Sequence, residues 1–232
     1  MRKIGLIGGL SWYSTRTYYE HINRGVQART SPAASAPMVI DSLDSASMMR
    51  LSTAEDWNRA SEILSESARR LEGAGATAIL IGANSMHKVF DAVAGSVSVP
   101  LLHIAECVAE RMVEKGGTKR AALIGTRNVM LDTFYRQKLI ARDIDLLPPS
   151  LARVETLDRI IYDELMLGKA TRQSERELKT IITTLEQEGA EAIVLGCTEL
   201  EMIVDVDANV LPIFDCTRIH AEAAVDWIVG QA

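Results

Sequence analysis

An α/β fold made of two similar parallel-sheet domains is predicted by three observations on this 232-residue chain. Short apolar runs recur along it, amphipathic helical patterns lie between them, and one segment occurs twice. The runs at 3–8, 37–42, 78–82, 100–104, 120–125, 145–149, 192–196 and 211–215 are rich in Ile, Leu, Val and Ala. Near-continuous apolar runs of that length read as strands buried on both faces, as in a parallel sheet. Between them, Trp57, Ala60, Leu64, Ala68 and Leu71 share one helical face, and Leu178, Ile181, Ile182 and Leu185 share another. Strand and helix alternate, which defines the α/β class.

The repeat emerges when LEGAGATAILIGANS (71–85) is laid over LEQEGAEAIVLGCTE (185–199). With Gly75 on Gly189, residues Ala76, Ala78, Ile79 and Gly82 meet Ala190, Ala192, Ile193 and Gly196. The Lys3 strand resembles the Lys119 strand and the Pro100 strand the Pro212 strand, so two related halves are the simplest organisation. Open parallel sheets bind ligands beyond the carboxyl ends of their strands. The loops Ala83-Asn84-Ser85 and Cys197-Thr198-Glu199 occupy those ends, and the repeat sets Ala83 against Cys197. If the halves face each other, both loops would line one cleft.

Composition removes several function classes. A net charge of -6, with no basic run, argues against a nucleic-acid partner. Met1-Arg2-Lys3 leads into Ile4-Gly5-Leu6-Ile7-Gly8, a run too short to span a bilayer and without a cleavage site, so no membrane association and a cytoplasmic location are expected. Cys107, Cys197 and Cys216 are odd in number and show no CxxC spacing, which speaks against disulfides and structural zinc. His21, His87, His103 and His220 show no ligand spacing, and no metal is expected. Gly5-Leu-Ile-Gly8-Gly9 lacks the full order of a dinucleotide fingerprint.

The chemistry therefore rests on few groups. A thiol in a strand-to-helix loop, such as Cys197, can be activated, because helix N-terminal N–H groups stabilise the thiolate, or it can be a buried small residue that fills the turn. Cys107 and Cys216 read as core residues. Asn84, Ser85 and Thr198 offer donors that could hold a carboxylate, or each could cap the following helix. Ser11, Thr15 and Thr126 admit the same two roles. Glu199 could orient Cys197 or a substrate ammonium, or sit in the first helical turn for the dipole alone. His87 reads either as a catalytic or as a buried structural histidine.

GLIGGLSWYST (5–15), GANSMHKV (82–89) and LGCTELEM (195–202) resemble the signatures of the aspartate/glutamate racemase family, over nearly the whole chain from Ile4 to about Trp227. The resemblance implies two α/β halves in pseudo-twofold relation, with residues 1–97 plus 210–232 as the first domain and 98–209 as the second, a site between them, and a homodimer. It implies racemisation of Asp or Glu without pyridoxal phosphate or any other cofactor, by two cysteines flanking the substrate Cα. It also implies substrate contacts from the Ser11 loop and from Arg50, since the side-chain carboxylate needs a fixed cation. A lysine used by some relatives falls near Met166.

One departure is decisive. The slot of the first catalytic cysteine holds Ala83, whose methyl group can neither give nor take a proton. Ala83 is read either as the natural residue, with water or another group supplying the second proton, or as an engineered substitution. Cys197 then remains as the sole thiol, on the face of the L-enantiomer's α-proton. Two other classes stay open: a one-thiol decarboxylase of the arylmalonate decarboxylase type, and a non-catalytic protein that binds dicarboxylic amino acids.

Overall fold

The computed structural model describes residues 1–206 and 209–230. The chain divides into two compact units, Met1–Ile104 with the chain from His220 onward, and Ala105–Ile219.

The first unit runs β1 (Ile4–Gly8), α1 (Trp12–Arg29), β2 (Met38–Ser42), α2 (Ala54–Gly73), β3 (Ala78–Ile81), α3 (Phe90–Ala94) and β4 (Leu101–Leu102). Its four strands are parallel in the order β2-β1-β3-β4. The second unit contains α4 (Ile104–Lys115), β5 (Arg120–Gly125), α5 (Arg127–Leu131), α6 (Thr133–Ile140), β6 (Asp145–Leu146), α7 (Leu151–Asp163), α8 (Arg172–Gln187), β7 (Ala192–Gly196) and β8 (Ile213–Asp215), before α9 (Cys216–Val229). Its strands, also parallel, follow the order β6-β5-β7-β8. The two orders are the same, as the repeated sequence requires.

All eight apolar runs form strands. Those at the sheet centres, β1, β3 and β7, are buried along their whole length, because helices cover both faces. Ile79 and Ile193, equivalent in the repeat, are fully buried. Trp57, Ala60, Leu64, Ala68 and Leu71 form the buried face of α2, and Leu178, Ile182 and Leu185 that of α8.

The repeated glycines have a shared cause. Gly75 and Gly189, at φ 84° and 93°, end α2 and α8 in left-handed caps. Each cap closes with two bonds, Gly75 N to Glu72 O and Ala76 N to Leu71 O in one, Gly189 N to Glu186 O and Ala190 N to Leu185 O in the other. This is the Schellman arrangement, which satisfies helix-end carbonyls and turns the chain into the next strand.

Strand pairing fixes where these two units meet along the chain. Residues 98–104 belong to the first unit because β4 pairs with β3, Ile79 opposite Leu101. The strand near residue 213 belongs to the second because β8 pairs with β7, Ile193 opposite Ile213. Only the chain from His220, inside α9, returns to the first unit.

Candidate active site

In each sheet the strand order reverses direction between the two central strands, β1 and β3 in one, β5 and β7 in the other. Such switch points leave a crevice at the carboxyl ends, where α/β proteins bind ligands. In the first unit these ends carry Ser11, Ala83, Asn84 and Ser85; in the second they carry Thr126, Cys197, Thr198 and Glu199.

In the first unit, Gly9 at φ 72° makes the turn out of β1, and a Cβ there would lie 2.0 Å from the Leu43 carbonyl oxygen. The Gly9 N–H donates to Thr15 Oγ1 (2.8 Å), which in turn donates to Ser11 O (3.0 Å). Thr15 is thus committed to the turn. Ser11 caps α1, its side chain accepting from Ser14 N. Ala83 is half-buried, its methyl against the cluster that includes Ile81 and Met86. Asn84 is 4% exposed, caps nothing, and neither Oδ1 nor Nδ2 has a partner. Ser85, half-buried, opens a 3-10 turn, Ser85–Val89. Arg50 is exposed in the loop after β2, in a left-handed backbone conformation at φ 54°, which costs a non-glycine residue on the order of 1 kcal/mol.

In the second unit, Cys197 follows β7 directly and leads into a 3-10 turn, Thr198–Met202, where an α-helix was expected. Cys197 Sγ donates to Glu199 Oε2 (3.1 Å), which also receives the Thr198 hydroxyl (2.7 Å). Glu199 Oε1 is buried without a partner. Thr126 heads α5, but the Arg127 N–H is taken by Asp158 (2.9 Å), and Thr126 Oγ1 is buried and unpartnered. Met166, in the turn Leu165–Leu167, packs against the core cluster that contains Cys197 and Leu200.

Burial, then the Glu199 carboxylate, pushes the Cys197 thiol well above the usual thiol range. A five-residue 3-10 turn offers too small a dipole to compensate. Cys197 is thus a neutral thiol hydrogen-bonded to an acceptor. Cys216 is buried with its sulfur 2.8 Å from Tyr135 Oη, and Cys107 is half-buried with its thiol pushed up to about 12 by burial and then by Glu110 and Glu106.

Sequence reasoning missed the support behind Ala83. Ser14 Oγ, buried on the inner face of α1, donates to Gly82 O (2.7 Å). His87 Nε2 accepts the Ile104 N–H (3.2 Å), which leaves Nδ1 to donate to Ala83 O (3.0 Å). His220 Nε2 donates to Leu102 O (3.0 Å), so Nδ1 accepts from Tyr18 Oη (2.8 Å). The helical spacing Ser11, Ser14, Tyr18 marked that inner face; His87 was weighed as a catalytic or a buried structural histidine without its partner Ala83 O, and His220, far away in sequence, left no such signal. Among the described residues no cluster of His, Cys, Asp and Glu is arranged to hold a metal ion, and no helix is long and apolar enough to cross a membrane.

Both imidazoles are neutral, since burial pushes His87 down to about 4 and His220 to about 3, the latter also disfavoured by its neighbour His87. In the unfolded chain they protonate near 6.5. The unfolded state therefore binds more protons between about 6.5 and 4, and stability present above that window is lost as pH falls through it. Each histidine contributes a slope approaching about 1.4 kcal/mol per pH unit. Thermal melts are expected to drop markedly from pH 7 to pH 5; equal midpoints would contradict the assignment.

The Asp/Glu/hydantoin racemase family profile matches residues 7–224. A crystal structure of a candidate Asp/Glu racemase from Yersinia pestis superposes with a TM-score of 0.89 at 38% identity, covering 99% of this chain and 100% of that one. An aspartate racemase homologue from Pyrococcus horikoshii gives 0.84 at 31%, covering 98% and 99%. The broad specificity amino-acid racemase RacX of Bacillus subtilis is 21% identical over 170 residues, 73% of each chain. The chain belongs to the Asp/Glu/hydantoin racemase family.

Proposed function

We propose that the protein is a cofactor-independent enzyme acting at the Cα of L-aspartate or L-glutamate, as a cytoplasmic homodimer, with Cys197 as its one acid/base thiol and Ala83 in the slot of the second. The observation that carries this reading is the Cys197–Glu199 hydrogen bond at the end of β7, in a chain whose other strand ends hold Asn84 and Thr126 with buried, unpartnered polar atoms. Buried polar groups left unpaired cost on the order of 1–3 kcal/mol each, a cost that a bound amino acid would remove. In the first unit Ser11, Asn84 and Ser85 suit a carboxylate of the amino acid and Arg50 its side-chain carboxylate; in the second Thr126 suits a carboxylate and Glu199 Oε1, beside Thr198, an ammonium.

In this mechanism the thiol proton passes from Cys197 Sγ to Glu199 Oε2, and the resulting thiolate takes the α-proton, leaving a carbanion. The thiol, its proton exchanged with solvent, then returns a proton to the same face, and Glu199 gives its own proton back to the sulfur, which restores the resting thiol and carboxylate. With a methyl at position 83 there is no partner thiol to protonate the opposite face, so exchange at Cα proceeds and inversion does not.

Glu199→Gln tests this assignment. The amide keeps an acceptor for the thiol but cannot take its proton, so exchange is expected to fall by about 10²-fold at neutral pH and to climb as hydroxide ionises the thiol. An exchange rate equal to wild type would contradict the role of Glu199. Calorimetric binding of L-Asp or L-Glu without any exchange would instead support a binding protein.

The neutral state of Cys197 favours one second reading, a one-thiol decarboxylase. There a thiol that starts protonated gives its proton to a planar intermediate after carbon dioxide leaves. Release of carbon dioxide from an arylmalonate, with no exchange on Asp or Glu, would select it.

A further inference from the structure

We infer that His87 is a positioning residue that holds the β3 loop so that the Asn84 carboxamide is presented to substrate; the inference rests on the reading of Asn84 as a substrate contact. Three consecutive backbone carbonyls lead into and include Asn84, and each is held. Gly82 O receives Ser14 Oγ (2.7 Å), Ala83 O receives the His87 ring (3.0 Å), and Asn84 O receives the His87 N–H (3.2 Å). His87 alone fixes the two carbonyls flanking the Asn84 backbone. Its other ring nitrogen takes the Ile104 N–H (3.2 Å), tying the end of β3 to the end of β4.

This wiring engages the three carbonyls of the loop, and Asn84 Oδ1 and Nδ2 stay buried and unsatisfied. A loop that merely needed stability would have turned the carboxamide onto one of these carbonyls, because Asn readily bonds its local backbone. A buried amide held off its own backbone is preorganised for an external donor and acceptor, at the cost of an unpaired group when empty. An α-amino acid supplies both, a carboxylate for Nδ2 and an ammonium for Oδ1.

The arrangement requires one tautomer of neutral His87, with the proton on Nδ1. Protonating Nε2 would set two N–H groups against each other at Ile104. The groups facing the ring are His103 from the end of β4 (4.9 Å between centroids), His220 from α9 (5.7 Å) and Phe90 (5.9 Å), with Tyr18 of α1 bonded to His220. None of these brings a carboxylate to the ring that would favour imidazolium, so the latch stays neutral across the physiological range.

Two measurements on the whole protein test the inference. Long-range ¹H–¹⁵N spectra of His87 are expected to show Nδ1 protonated and Nε2 bare, without change from pH 8 to pH 6; an Nε2–H tautomer or an imidazolium would overturn it. This readout does not depend on the protein being a racemase. His87→Phe is expected to weaken calorimetric binding of L-Asp and L-Glu by on the order of tenfold, the loss of about one hydrogen bond's worth of positioning, and to shift the Asn84 side-chain amide resonances. His87→Asn, which can restore the donor to Ala83 O, is expected to recover most of both. A folded His87→Phe protein with wild-type affinity and Asn84 shifts would overturn the positioning role, whereas a wild-type protein with the stated tautomer but no affinity for either amino acid would refute the substrate reading of Asn84 and not the latch.

Discussion

Ala83→Cys is expected to raise interconversion of L- and D-aspartate or glutamate by about 10²–10⁴-fold, the usual contribution of a positioned acid or base. The substitution adds one sulfur at a half-buried position whose methyl already packs against the β3 cluster, so the fold has little reason to change. The carbonyl of residue 83 is held by His87 whatever the side chain. In the proposed mechanism the added thiol supplies the acid or base that a methyl group cannot, and the roles exchange for the reverse direction. Circular dichroism of the amino acid, followed from each pure enantiomer, measures the effect. A rate unchanged in both directions would contradict the placement of Ala83 in the slot of a catalytic thiol.

Cys197→Ala is expected to abolish α-hydrogen exchange, a loss of about 10³-fold or more, while leaving the protein folded. Removing a buried sulfur of this size costs on the order of 1 kcal/mol, and Thr198 keeps its hydrogen bond to Glu199. Cys197→Ser is expected to retain a trace at most, because a hydroxyl is a far weaker acid than a thiol at the same burial. Exchange monitored by proton NMR together with far-ultraviolet circular dichroism separates loss of chemistry from loss of fold. Wild-type exchange in either variant would remove Cys197 from the mechanism. The same substitutions at Cys216, which sits against Tyr135, are expected to affect stability and leave the chemistry in place.

The fold was legible in the sequence because its signals are local and redundant. Each apolar run contains a strand, the central ones β1, β3 and β7 buried along their whole length, and the Gly75 and Gly189 caps repeat for a backbone reason that survives divergence of the side chains around them. The domain limits were less legible, since the short strands Leu101–Leu102 and Ile213–Asp215 are assigned by which neighbour they bond, a long-range choice. The sequence order placed Asn84, Ser85, Thr126, Thr198 and Glu199 just beyond strand ends, but it carried no information on their bonding states. The acidity of Cys197 depends on burial among Leu200 and its neighbours and on Glu199 bonding back to it through a 3-10 turn, none of which a spacing pattern encodes. Ser11 and Thr15 went to capping and turn bonds; Asn84 and Thr126 did not. The same residue types served both roles, and only the partners taken by neighbouring N–H groups distinguished them.

The central claim is that one thiol works one face of Cα. Incubating the wild-type protein with L-aspartate or L-glutamate in deuterated buffer, and following the α-proton by NMR with chiral chromatography of the recovered amino acid, tests it directly. The account predicts deuterium at Cα of the L-enantiomer with little or no D-product. Recovery of the L-amino acid with its α-proton intact, or deuterated D-product at a rate matching exchange, would contradict it.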